Sequence, residues 1–191
     1  MTRIEIINML LKKINGKKYL EIGVEGGLCF PNINAEHKVG VDPDPKSKAT
    51  VIKTSDDFFS DNKEIFDVIF IDGLHQHEQV EKDILNSLNL LSDGGYIVCH
   101  DLLPTAEYLQ THERTTGLWT GDCWKAWVKL RSTRSDLFMY TIDTDWGCGV
   151  IQKGKQETID LKGQELNYQN FVKNRDYWMR VISVQDFMIH I

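Results

Sequence analysis

The sequence predicts an α/β protein built on a mostly parallel, seven-stranded sheet that ends in an antiparallel hairpin. Three observations carry this. Short apolar runs alternate with stretches of helical periodicity along most of the chain. A glycine-rich turn, Gly23-Val24-Glu25-Gly26-Gly27, follows the first run, and later runs lead into the acids Asp42, Asp72 and Asp101. The last two runs, residues 137–142 and 147–152, are separated only by a short turn, which suits an antiparallel pair.

The bulk properties narrow the function classes. The chain has 191 residues, enough for one domain with a sizeable core, and 41% apolar against 26% charged residues excludes a disordered chain. A net charge of −6 argues against a nucleic-acid binder that works by phosphate neutralisation. No apolar run approaches the roughly 20 residues that cross a bilayer, so no membrane association is expected. Cys29, Cys99, Cys123 and Cys148 form no CxxC pair and read as reduced thiols, which points to a cytoplasmic protein. The expected organisation is a single domain over 1–191: an N-terminal helix in 1–16, a core in 17–153 and a helical extension in 154–191.

Ile7, Leu10, Leu11 and Ile14 recur at helical spacing, so residues 3 to 15 read as an amphipathic helix against a sheet edge, without visible chemistry. Residues 19–23 form the first strand, and the glycines after it permit a sharp turn and close approach to a ligand. Residues 38–42 form the second strand. It ends in Asp42, about 20 residues past the glycines, where doubly wound nucleotide folds place an acid on ribose hydroxyls. Residues 50–54 form a third strand, and Ser55 is positioned to cap the helix that follows. Asp56 has two readings, a first-turn acid stabilised by the helix dipole or a partner of an adenine amino group.

Residues 66–73 give the clearest buried strand, leading to Asp72, and a helix opens in Leu74-His75-Gln76-His77-Glu78. Its stripe is Val80, Ile84, Leu88 and Leu91, with a glycine stop at Gly94-Gly95. Residues 96–99 form the fifth strand and lead into His100-Asp101. If these two strands are neighbours, as consecutive strands often are, Asp72, His75, His100 and Asp101 share one cleft. Residues 102–120 are a long connection with the character of a lid. The helix after Gly121 contributes Trp124, Trp127 and Leu130 chiefly to the core, while Trp119, Asp122 and Trp124 are secondary candidates for facing a substrate. The aromatic-rich segment 166–191 reads as helical, covering a sheet face or a homodimer contact.

Taken in order, YLEIGVEGG, VGVDPDP, SDDFF, FDVIFIDGLHQHEQV, LSDGGYIVCHD, GDCWKAWVKLR and DTDWGCGVI resemble a class I S-adenosylmethionine-dependent methyltransferase. The likeness is to a bacterial subgroup with an IDG-x-H element after the fourth strand, and it spans about residues 18 to 152. It implies a Rossmann-like three-layer sandwich that binds S-adenosyl-L-methionine. Glu21, Gly23 and Gly27 would line the methionine end, Asp42 would hold the ribose, Asp56 the adenine, and Asp72 would border the cofactor. Glu25 stands where many relatives have a small or basic residue, and is expected to face solvent or a base.

The same resemblance extends to metal-assisted O-methyltransferases, in which acids at the ends of the fourth and fifth strands hold a divalent cation. Asp72, His100 and Asp101 occupy those positions here and could ligate Mg²⁺ or a similar ion. In the alternative, Asp72 and Asp101 cap helices and His75 or His100 acts as a metal-free base, with Asp101 beside it. The implied reaction is O-methylation of a small hydroxylated acceptor, a sugar or a secondary metabolite. Two other readings compete: an NAD-type oxidoreductase, which the incomplete GxGxxG disfavours, and a non-catalytic cofactor-binding scaffold.

Overall fold

The computed structural model of the chain describes residues 1–191, the side chain of His190 excepted. Helix α1 (Arg3–Lys13) starts at a capping box, in which the Thr2 hydroxyl accepts the Glu5 N–H and the Glu5 carboxylate accepts the Thr2 N–H. Strands β1 (Lys18–Ile22), β2 (His37–Asp42) and β3 (Val51–Ile52) follow, then helix α2 (Ser55–Asp61) and strand β4 (Phe66–Ile71). Helix α3 (His77–Leu90) passes directly into strand β5 (Leu91–Cys99), so Gly94 and Gly95 lie within the strand rather than ending the helix. Helix α4 (Cys123–Thr133), strands β6 (Leu137–Ile142) and β7 (Cys148–Lys153) and helix α5 (Tyr168–Met179) complete the expected set.

The sheet has eight strands in the order β3-β2-β1-β4-β5-β7-β6-β8, not seven. The added strand, β8 (Val181–Ile182), pairs parallel to β6 inside the segment expected to be wholly helical, and helix α6 (Val184–His190) follows it. Only β7 runs antiparallel, to both β5 and β6. The β6–β7 turn therefore returns to the sheet end where β4 and β5 finish.

Alternation along the strands divides the core in two. Leu20, Ile22, Ile69, Ile71, Ile97 and Cys99 face one side, with Phe58 of α2, Ile84 of α3, Trp127 of α4 and Phe171 of α5. Tyr19, Val68, Phe70, Tyr96 and Val98 face the other, with Ile6, Ile7, Leu10 and Leu11 of α1 and Phe187 of α6. Helix α1 thus packs on a sheet face, not an edge, and the result is three layers. Buried Arg131 ties α4 to α5 and β6, donating to the carbonyls of Trp178 (3.1 Å) and Met139 (3.2 Å). All four cysteines are free and buried. No helix among the described residues is long and apolar enough to cross a membrane.

Candidate functional site

A cavity of about 810 Å³ opens where β2, β1, β4 and β5 end, lined there by Asp42, Gly23, Asp72 and His100. Ligands of open α/β sheets bind at this edge. The β1 turn is shaped by contact with its neighbour. Gly23 has φ +87°, and a Cβ on it would lie 2.2 Å from the Asp72 carbonyl oxygen. Only glycine allows both that φ and that approach. Gly27 is also left-handed, but it packs against Lys48 and does not line the cavity. The part expected of it at the methionine end is therefore not served by its position. Glu25 is exposed, as expected.

Asp42 lines the cavity and is 8% exposed. Its Oδ2 accepts the N–H groups of Val24 (3.1 Å) and Glu25 (2.8 Å), and Oδ1 accepts that of Asp44 (2.9 Å). The acid at the end of β2 thus fastens the glycine turn. It keeps about one acceptor position, on Oδ1, for a hydroxyl of a ligand. Asp56 stands at the rim, where Lys82 Nζ (2.5 Å) and Gln79 Nε2 (3.0 Å) hold its two oxygens. The cap of α2 is Thr54, whose hydroxyl accepts the Asp57 N–H, and not Ser55, whose hydroxyl instead accepts from Gln79.

Glu21 also lines the cavity but is only 1% exposed, and it accepts a 2.5 Å hydrogen bond from the Tyr19 hydroxyl. Burial raises its pKa to about 7, and the nearby Asp72 adds to the rise against the help of that hydrogen bond. A raised carboxyl pKa favours the folded state fully below the unfolded value of 4.5, and the gain is lost as pH rises to about 7. Stability should therefore fall by up to about 3 kcal/mol over that window. Glu21→Gln should lack this component. Urea unfolding of both proteins at several pH values checks it, and parallel curves would refute it.

At the β4–β5 end, the four residues expected to share a cleft do so. His75 Nε2 is 3.3 Å from Asp72 Oδ1, and its Nδ1 is 3.3 Å from Asp101 Oδ2. His100 Nδ1 is 3.3 Å from Oδ1 of Asp72 and from Oδ1 of Asp101. Burial works against charge on both imidazoles, but Asp72 and Asp101 outweigh it and raise both pKa values, that of His100 well above the usual range. The histidines in turn overcome the burial penalty on Asp72 and hold it far below the usual carboxylate range. Asp101 has φ +58°, a left-handed conformation that is uncommon outside glycine.

Two further residues complete the cluster, and neither was anticipated. The Asp145 carboxylate, from the β6–β7 turn, reaches His100 Nε2 at 3.5 Å. Arg3, the first residue of α1, donates from Nη1 to Asp145 Oδ1 (2.9 Å) and lies 3.1 Å from His100 Nε2 and 3.9 Å from Asp72. The N-terminal helix, in which the sequence shows no chemistry, therefore reaches the cluster. Of the secondary substrate candidates, Trp119 lines the cavity and stacks on His75 at 5.2 Å. Asp122 is buried at the start of α4, and Trp124 is buried against Phe171.

The donor set of Asp72, His100 and Asp101 fits a divalent cation. One ligand atom of each lies within 4.8 Å of the others, and His100 Nδ1 is buried with no hydrogen-bond partner. Asp145 is then the acceptor for the opposite ring nitrogen, the usual support for a ligating imidazole. The acids would hold the ion as hard oxygen ligands, with His100 as the softer third.

Residues 20–102 match the methyltransferase domain family. The fold recurs in solved structures of low sequence identity. The O-methyltransferase of Bacillus cereus, solved with S-adenosylhomocysteine, is 13% identical with a TM-score of 0.57, over 78% of this chain and 79% of that one. The O-methyltransferase TomG of Streptomyces achromogenes, involved in tomaymycin synthesis and solved with S-adenosylmethionine, is 14% identical with a TM-score of 0.59, over 80% and 79%. Cofactor-bound Rv0187 from MTB is 18% identical with a TM-score of 0.61, over 81% and 80%. No curated protein sequence matches the chain.

Proposed function

We propose that this methyltransferase transfers the methyl group of S-adenosylmethionine to a hydroxyl oxygen of a small acceptor, a sugar or a secondary metabolite. The observation that carries the reading is one cavity holding Asp42 at one side and the Asp72, His75, His100 and Asp101 cluster at the other. Three strand spacings separate β2 from β5, or about 14 Å, which suits an extended nucleoside joined to an amino acid.

The cofactor supplies an electrophilic methyl on a sulfonium that leaves as a neutral thioether. The chain has to align the acceptor and remove its proton. The base in this reading is His75. Its ring borders the cavity, Asp72 and Asp101 orient it, and Trp119 covers one face. Asp72, His100 and Asp101 would hold a divalent ion, which would acidify and orient the hydroxyl. The roof residues Leu118 and Trp119 offer apolar surface for the acceptor.

Calorimetry with S-adenosylhomocysteine tests the first half, and NAD is the control. Saturable binding of the former alone is the expected result. Methyl transfer from labelled S-adenosylmethionine to a panel of hydroxylated acceptors, with and without Mg²⁺, tests the second. No heat at millimolar S-adenosylhomocysteine would sink the reading.

A further inference from the structure

A second cluster of metal-binding groups stands outside the cavity lining, where the roof loop meets the body of the protein. His77 and Glu78 open α3, His112 sits in the loop, and Asp122 precedes α4. None of the four lines the cavity. His77 Nδ1 is 2.9 Å from Asp122 Oδ2 and 3.3 Å from Glu78 Oε2. His112 Nδ1 is 3.2 Å and 3.9 Å from the same two oxygens. One ligand atom from each of His77, Glu78 and His112 lies within 4.8 Å of the other two.

We propose that His77, His112, Asp122 and Glu78 form a transition-metal site, for Zn²⁺ or a similar dication, that fastens the loop over the cavity. Two imidazoles with carboxylates are a donor set that such ions prefer and Mg²⁺ does not. Ligands about 2.0–2.1 Å from a tetrahedral ion stand about 3.3 Å apart, and the four separations above bracket that value. Asp122 is fully buried, so its carboxylate is committed to this spot. Its Oδ1 is fixed by the His77 N–H at 2.9 Å, leaving Oδ2 turned to both rings. Lys125 Nζ, 3.1 Å from Oδ2, balances one of the two carboxylate charges, and the second is left for the ion.

The consequence falls on the roof. Residues 109 and 114 to 120 touch the cavity except for 115 and 116, and His112 lies between these two stretches. Joining His112 to α3 and α4 would hold the loop closed and slow the loss of anything beneath it. The site stands apart from Asp72, His100 and Asp101 and does not depend on the methyl-transfer reading.

The test is a Zn²⁺ and Co²⁺ titration of the intact protein with millimolar Mg²⁺ present throughout, followed by calorimetry and by the visible absorption of Co²⁺. The wild type should take a Zn²⁺ that Asp101→Asn retains. His112→Ala and His77→Ala should each weaken it by at least about tenfold and shift the Co²⁺ spectrum. His112 is exposed, so His112→Ala should remain folded, and circular dichroism checks this. Wild-type titrations in both histidine variants would overturn the proposal, as would a Zn²⁺ site that vanishes in Asp101→Asn.

Discussion

His75→Ala should lower kcat for methyl transfer by roughly 10²- to 10⁴-fold, the range for loss of a positioned general base, while S-adenosylhomocysteine binds as before. The prediction separates two histidines that the sequence alone left equivalent. His100 is 7% exposed and enclosed by Asp72, Asp101, Asp145 and Arg3. A ring so enclosed is poorly placed to meet an acceptor. The His75 side chain is 18% exposed against 5% for His100, and its ring stacks on Trp119 at the cavity wall. Its main chain is also held. The Asp122 N–H donates to its carbonyl at 3.1 Å, and Gly121, with φ +62°, packs so closely that a Cβ would lie 1.9 Å from that oxygen. The change should appear in kcat rather than in KM, and His75→Gln, which keeps shape without basicity, should not restore the rate. An unchanged kcat in His75→Ala would remove the residue from the mechanism. His100→Ala should behave differently, lowering the unfolding midpoint, because it leaves Asp72 and Asp145 short of a partner.

What was readable from the sequence follows from range. The strand runs and the acids behind them were legible because burial on both sheet faces demands unbroken apolar residues, and a polar residue then marks the exit. Asp72, His75, His100 and Asp101 converge because β4 and β5 are neighbours, a local rule. Arg3 and Asp145 were missed because their partners are remote: Arg3 meets His100 across 97 positions and Asp145 across 142. Signals existed for both. A cation in the first turn of a helix opposes the dipole and invites a reason. An acid in the turn between β6 and β7 sits at the site end of the sheet once β7 is known to run antiparallel. Strand β8 was hidden because two residues carry no periodicity, and Thr54 was passed over for Ser55 because either hydroxyl satisfies the capping pattern.

Asp42→Ala should weaken S-adenosylhomocysteine binding by about 100-fold or more, through two routes that a second variant can separate. The direct route is loss of a charge-assisted hydrogen bond from Oδ1 to a ribose hydroxyl, which is worth about 1.5–3 kcal/mol. The indirect route is release of the glycine turn. Alanine leaves the N–H groups of Val24, Glu25 and Asp44 without their acceptor, and the first of these is buried. That loss should also cost on the order of 2 kcal/mol in unfolding free energy. Asp42→Asn keeps one carbonyl oxygen, which can still serve Val24 and Glu25, and puts an amide where Oδ1 stood. Asparagine should therefore recover most of the stability and little of the affinity. Affinity recovered together with stability would mean that Asp42 shapes the turn and touches no ribose. Full affinity in both variants would place the ribose elsewhere and leave the β2 acid a structural part of the turn.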